Sequence, residues 1–178
     1  MAEHSIVIAG FGGQGLLFSG KVLAYAGLME DRQLSWLPSY GPEMRGGTAS
    51  CSVILSDSPV GSPIVEHPNV LMVMNNPSLD KYESAVVPGG KIFLDSSLIG
   101  RKLIREDVEA YYVPATQMAV DMELPGLANM ILLGALAEKT GCVSREMLEA
   151  GLRKVVPARK ADMIELNLKA MQAGRDAV

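Results

Sequence analysis

Apolar residues in the first two thirds of the chain fall into short runs broken by glycine, proline and charge; in the last third they recur at helical spacing. The run Ile6, Val7, Ile8, Ala9 predicts a buried strand, and residues 14–29 predict a helix, with Leu16, Leu17, Gly20, Leu23, Ala24, Gly27 and Leu28 on its inner side. Residues 33–37 predict a short second strand. Residues 48–55 alternate, with Thr48, Ser50 and Ser52 on one face and Ala49, Cys51, Val53 and Leu55 on the other, as in a half-exposed antiparallel strand. The continuous run 70–74 reads as a strand buried on both faces. Pro77 opens a short helix over 78–85, a turn falls at Gly89 and Gly90, and strands follow at 91–94, ending at Asp95, and at 110–113. Helices are predicted over 115–122, 127–139, 145–155 and 162–173, separated by Pro125 and Gly126, Gly141, and Pro157. The pattern predicts one α/β domain over residues 1–178: a three-layer, Rossmann-like mixed sheet with a helical C-terminal third.

The first strand breaks directly into Gly10, Gly12 and Gly15, which satisfy G-x-G-x-x-G between a strand and a helix, the context that motif requires. Glycines there allow a tight turn and a close approach to the free N–H groups at the helix start, where the dipole favours an anion. Gly10, Gly12, Gly13, Gln14 and Gly15 are therefore the candidate cofactor-binding residues. The alternative is a tight turn that binds nothing. A dinucleotide site would also want an acid closing the second strand. Glu30 and Asp31 instead precede residues 33–37, and the chain reads Leu37, Pro38, Ser39, Tyr40 where the acid should stand.

Residues 38–47 form a second candidate, a loop stiffened by Pro38, Pro42, Gly41, Gly46 and Gly47. It presents Tyr40, Glu43 and Arg45, an array able to orient an anionic substrate or dock a partner. An internal Glu43–Arg45 pair that only steadies the loop is the alternative. Asp95, Ser96 and Ser97, and likewise Asn75 and Asn76, follow strands and suit either a ligand or a turn and helix cap. Arg153, Lys154, Arg159 and Lys160 flank Pro157 as a solvated basic face, with a phosphate contact as the other reading.

At 178 residues and 48 % apolar the chain can bury a substantial core. Its net charge of −4 argues against a nucleic-acid partner. No apolar run is long enough to span a bilayer and no leader pattern opens the chain, so a cytoplasmic location without membrane contact is expected. Cys51, Cys142, His4 and His67 are scattered, too few and too far apart for an iron–sulfur cluster or structural zinc within one subunit; no metal site is expected.

Two segments taken together are specific. Residues 8–15, IAGFGGQG, and 39–47, SYGPEMRGG, resemble the gamma subunit of the 2-oxoacid:ferredoxin oxidoreductases, the pyruvate, 2-oxoglutarate, branched-chain and indolepyruvate enzymes. The resemblance continues through MVMNNPSLDKY (72–82), PGGKIFLDSS (88–97) and NMILLGAL (129–136), nearly the whole chain. It implies a multisubunit oxidoreductase that converts a 2-oxoacid and coenzyme A to acyl-CoA and carbon dioxide, passing electrons to ferredoxin. Thiamine diphosphate, Mg²⁺ and iron–sulfur clusters would lie on alpha, beta and ferredoxin-like delta partners. The chain lacks a thiamine diphosphate motif and a cysteine cluster, so the resemblance implies no catalytic residue here and a silent isolated chain. It implies a gamma unit packed on alpha that helps admit coenzyme A, with Tyr40, Glu43, Arg45, Gly46 and Gly47 facing substrate or partner. Without partners the chain is expected to expose apolar surface and to form a homodimer. The other reading of the glycines is a free-standing nucleotide-binding module.

Overall fold

In the computed structural model, residues 3–39 and 48–178 are described; Tyr40, Glu43, Arg45, Gly46 and Gly47 lie outside them. The elements run β1 (His4–Phe11), α1 (Leu16–Met29), β2 (Gln33–Ser39), β3 (Thr48–Ser56), β4 (Val70–Val73), α2 (Asn76–Tyr82), β5 (Lys91–Asp95), β6 (Glu109–Val113), α3 (Ala115–Asp121), α4 (Ala128–Thr140), α5 (Arg145–Val155) and α6 (Met163–Asp176). The six strands lie in the order β2-β3-β1-β4-β5-β6. β3 alone runs against the others, paired antiparallel to β1 and to β2. β1, β4, β5 and β6 are parallel in sequence across the sheet.

Pattern and burial agree strand by strand. β4 is buried along its whole length, as a strand covered on both faces must be. On β1, Ile6 and Ile8 enter the larger core beneath α1, α4, α5 and α6, while Val7 and Ala9 enter a smaller core with Leu71, Val73, Leu79, Ile92 and Leu94. The layer over that second face is thin: α2, a 3₁₀ turn at 83–85 and the connection to β6. β2 runs on to Ser39, beyond the expected 33–37, and so includes Pro38. Its missing N–H is tolerated because, among the described residues, β2 is an edge strand paired with β3 alone.

α4 is apolar all round, with ten of its 13 residues buried, so it sits in the middle of the helical layer rather than on its surface. α6 crosses it where Gly134 and Gly174 bring the two backbones together. Ser144 caps α5 through the Met147 N–H at 3.2 Å, and Asn75 caps α2 through the Ser78 N–H at 2.8 Å.

The connection before β6 is clasped by one buried carboxylate. Glu83 accepts from Arg101 Nη2 at 2.7 Å, from the Ile104 N–H at 2.5 Å and from the Arg105 N–H at 3.2 Å. Arg105 in turn donates to the carbonyls of Glu83 and Val86. Burial pushes the Glu83 carboxyl up, but the bonds from Arg101, Ile104 and Arg105 outweigh it and hold the group below the ordinary carboxylate range. A folded-state value below the unfolded one stabilises above the ordinary carboxylate range, and that stability is lost as pH falls through the folded value. Glu83→Gln is expected to cost about 2 kcal/mol, the scale of hydrogen bonds made to a charged group, since the Arg101 partner is partly exposed. Urea melts at pH 7 and below pH 4 measure it: the gap from wild type should close in acid, and a pH-independent gap would refute the role.

Candidate functional site

The chain leaves β1 at Phe11 and enters α1 at Leu16 through Gly12, Gly13, Gln14 and Gly15. Gly15 is the N-cap of α1, in the left-handed region at φ 78°, and Gly13 has φ 91°. An L side chain at either position would be strained. Among the described residues no side chain caps α1, so there its first-turn N–H groups have no side-chain partner at the positive end of the dipole.

Packing fixes the turn from two sides. Gln14 Oε1 accepts the Phe11 N–H at 2.7 Å, and its Nε2 donates to the Met74 carbonyl at 3.2 Å, tying the turn to the end of β4. Gln14 is thus a brace. A Cβ on Gly10 would fall 3.2 Å from both Leu16 Cδ1 and Met74 Cβ, so glycine there serves close packing. From the other side Asn129, the second residue of α4, donates through Nδ2 to the Gly15 carbonyl at 3.0 Å and to Ser19 Oγ at 3.1 Å. The same carbonyl accepts from the Ser19 N–H and from Ser19 Oγ, each at 3.1 Å. Asn129 is 3 % exposed, and its Oδ1 has no partner among the described residues. An unpaired buried amide oxygen costs about 1–3 kcal/mol, and two hydrogen bonds return about as much.

Two clefts meet at this turn. One, of about 320 Å³, is lined by Gly13, Gln14, Met74, Thr116, Val120 and Asn129. It opens where β1 and β4 end. The chain leaves β1 toward β2 on one side and leaves β4 toward β5 on the other, so this is the switch point at which open α/β sheets bind ligands. The other, of about 730 Å³, runs from Gly15 and Asn129 to the α5–α6 junction, with Lys21, Arg159 and Lys160 as its cations and Asp162 as its acid. Around the same edge, Phe11, Leu98, Val120 and Met122 are exposed, Val120 by 58 %.

The remaining sequence candidates divide plainly. Asp95 is fully buried and holds α3: its carboxylate accepts from the Ser97 N–H at 3.0 Å and from Thr116 Oγ1 at 2.5 Å. It serves as a turn and cap residue. Glu30 is committed to the Ser144 N–H at 2.6 Å, and Asp31 sits in the α1–β2 turn at φ 58°. Neither reaches the glycine turn, and β3 stands between β1 and β2, so the arrangement that places a ribose-binding acid beside a dinucleotide is not formed. Burial pushes the Cys51 thiol up to about 12 and the Cys142 thiol up to about 11, which leaves both unreactive. Among the described residues no group of His, Cys, Asp or Glu is placed to hold a metal ion. Asn129 and Thr116 were not candidates. The available signal for Asn129 was one amide in an otherwise apolar helix.

Residues 5–177 match the profile of the pyruvate ferredoxin/flavodoxin oxidoreductase family. The chain belongs to that family. It is 41 % identical over 176 residues to the ketoisovalerate oxidoreductase subunit VorA of Methanothermobacter thermautotrophicus, covering 98 % of this chain but 36 % of that relative. It thus spans about a third of the length of the relative it matches there. It is 36 % identical to the 2-oxoglutarate synthase subunit KorC of Methanocaldococcus jannaschii, over 97 % of this chain and 92 % of KorC. The gamma subunit of a keto/oxoacid ferredoxin oxidoreductase from Geobacter sulfurreducens shares the fold at a TM-score of 0.84, with 31 % identity over 98 % of this chain and 97 % of that one. The relatives are thus subunits of a ketoisovalerate oxidoreductase, a 2-oxoglutarate synthase and a keto/oxoacid ferredoxin oxidoreductase, and among the described residues no helix is long and apolar enough to cross a membrane.

Proposed function

We propose that this chain is the gamma-type subunit of a cytoplasmic 2-oxoacid:ferredoxin oxidoreductase. In that enzyme a 2-oxoacid and coenzyme A become acyl-CoA and carbon dioxide, and the electrons pass to ferredoxin. The chain packs on an alpha-type subunit and helps hold coenzyme A at its glycine turn. The observation that carries this reading is a helix start that no described side chain caps, at the sheet's switch point, with exposed apolar side chains near it. Such a helix start suits the pyrophosphate of a coenzyme, and exposed Phe11, Leu98, Val120 and Met122 suit burial against another subunit.

The second sequence candidate, Tyr40, Glu43, Arg45, Gly46 and Gly47, lies outside the described residues, and Thr48, the first described residue after it, pairs with Phe11. In this proposal that candidate faces coenzyme A or the partner. Thiamine diphosphate with Mg²⁺ and the clusters sit on alpha, beta and ferredoxin-like chains, since two separate buried thiols cannot ligate a cluster that takes four. Alone, the chain turns over no substrate.

Phe11→Asp with Val120→Asp tests the docking face. Both side chains are at the surface of the isolated chain, so its melting temperature should stay within about 2 °C of wild type, as surface changes usually do. Recovery of partner subunits through a tag on this chain should fall at least about tenfold, the consequence of putting two charges into an apolar contact. Full recovery would place the interface elsewhere.

A further inference from the structure

We propose that Asn129 is a positioning residue for the ligand held at the start of α1, acting through the Gly15 carbonyl. The inference rests on the coenzyme-binding reading above and adds the residue that aims the site. Every other buried residue of α4 is apolar or glycine, and in that setting Asn129 keeps an Oδ1 with no partner among the described residues. A side chain held at that cost contributes through its nitrogen, and the nitrogen's partners are the Gly15 carbonyl and the hydroxyl beside it. The amide orientation is fixed by chemistry: the Gly15 carbonyl can only accept, so Nδ2 must face it.

The bond acts on the right atoms. Gly15 is the last residue before the helix, and its left-handed backbone decides where the Leu16, Leu17 and Phe18 N–H groups point. Its Cα faces Asn129 directly, since a Cβ there would fall 2.5 Å from Nδ2. Both clefts include Asn129 in their walls, so the residue fixing the turn stands where ligand from either cleft would meet it. A merely structural amide would be expected to reward stability. Here Leu in its place leaves no new polar group unpaired, because the Gly15 carbonyl keeps the Ser19 N–H and hydroxyl.

Asn129→Leu in the assembled enzyme should raise the KM for coenzyme A tenfold or more, with a smaller change in kcat. The KM for the 2-oxoacid and the melting temperature should stay near wild type. An unchanged coenzyme A KM, or a collapse of melting temperature and of all kinetic constants together, overturns the proposal. Ser19→Ala removes the other side-chain anchor of the same carbonyl without altering α4, and should raise the coenzyme A KM by a smaller factor. If the leucine variant does not fold, no rise with Ser19→Ala is the overturning result. The full chain by itself gives a readout that does not need the subunit assignment: inorganic pyrophosphate titrated against the Leu16–Phe18 amide resonances. Wild type should shift saturably and Asn129→Leu should bind at least tenfold more weakly. Equal titrations, or no shift in wild type, count against Asn129 even where the chain joins its partners. A chain that binds pyrophosphate this way yet joins no partner overturns the subunit reading alone.

Discussion

Gly174→Ala is expected to cost about 3 kcal/mol, the upper end of the usual overpacking penalty. In a domain of this size that lowers the melting temperature by about 6–12 °C. A Cβ at this position would lie 2.7 Å from the Ile131 carbonyl carbon and 3.0 Å from the Ala135 nitrogen, and closer still to the Ile131 oxygen. All three are backbone atoms of α4, so no side chain can rotate away and the helices must separate. Gly134 mirrors it, with a Cβ falling 2.7 Å from the Met171 Cα and carbonyl carbon, and Gly134→Ala should behave alike. Gly61, where a Cβ would meet nothing within 4 Å, supplies the control. Thermal melts of the three variants check the account; a loss at Gly174 no larger than at Gly61 would mean that α4 and α6 do not meet backbone to backbone.

Gly15→Ala should reduce coenzyme A-dependent turnover of the assembled enzyme about a hundredfold, the scale on which a misplacement of about 1 Å acts in a binding site. Two effects combine at this residue. The left-handed backbone at φ 78° costs alanine about 1 kcal/mol. The new methyl also displaces Asn129 Nδ2 and breaks its bond to the Gly15 carbonyl. Gly13→Ala separates them, because φ there is 91° but a Cβ would meet nothing within 4 Å. Steady-state assays with coenzyme A varied should show Gly13→Ala losing far less than Gly15→Ala. Equal losses would assign the effect to backbone strain alone and remove Asn129 from the site.

The sheet was legible because each strand carries its environment in its side chains. Alternation marked β3 as an antiparallel strand, and the unbroken run over 70–74 marked a strand buried on both faces. The glycine turn was legible for the same local reason. What the sequence could not show is what reaches that turn from far along the chain. Gln14 reads as a ligand-binding candidate, and its bond to Met74, 60 residues away, has no local sign. Asn129 lies 114 residues from Gly15, and its one local sign is an amide in an otherwise apolar helix. Glu83 likewise gave no local sign of gathering Arg101, Ile104 and Arg105. The strand order was hidden too: nothing local places β3 between β1 and β2, and that insertion separates this fold from a dinucleotide-binding one.

The most direct test of the subunit assignment is to co-express this chain, tagged, with the alpha and thiamine-binding subunits of its source and purify through the tag. The eluate is then assayed for 2-oxoacid- and coenzyme A-dependent viologen reduction across several oxoacids. Partner subunits recovered with this chain, and activity requiring both the oxoacid and coenzyme A, are the predicted result. Partners that assemble and remain fully active without this chain, while it elutes alone, would contradict it.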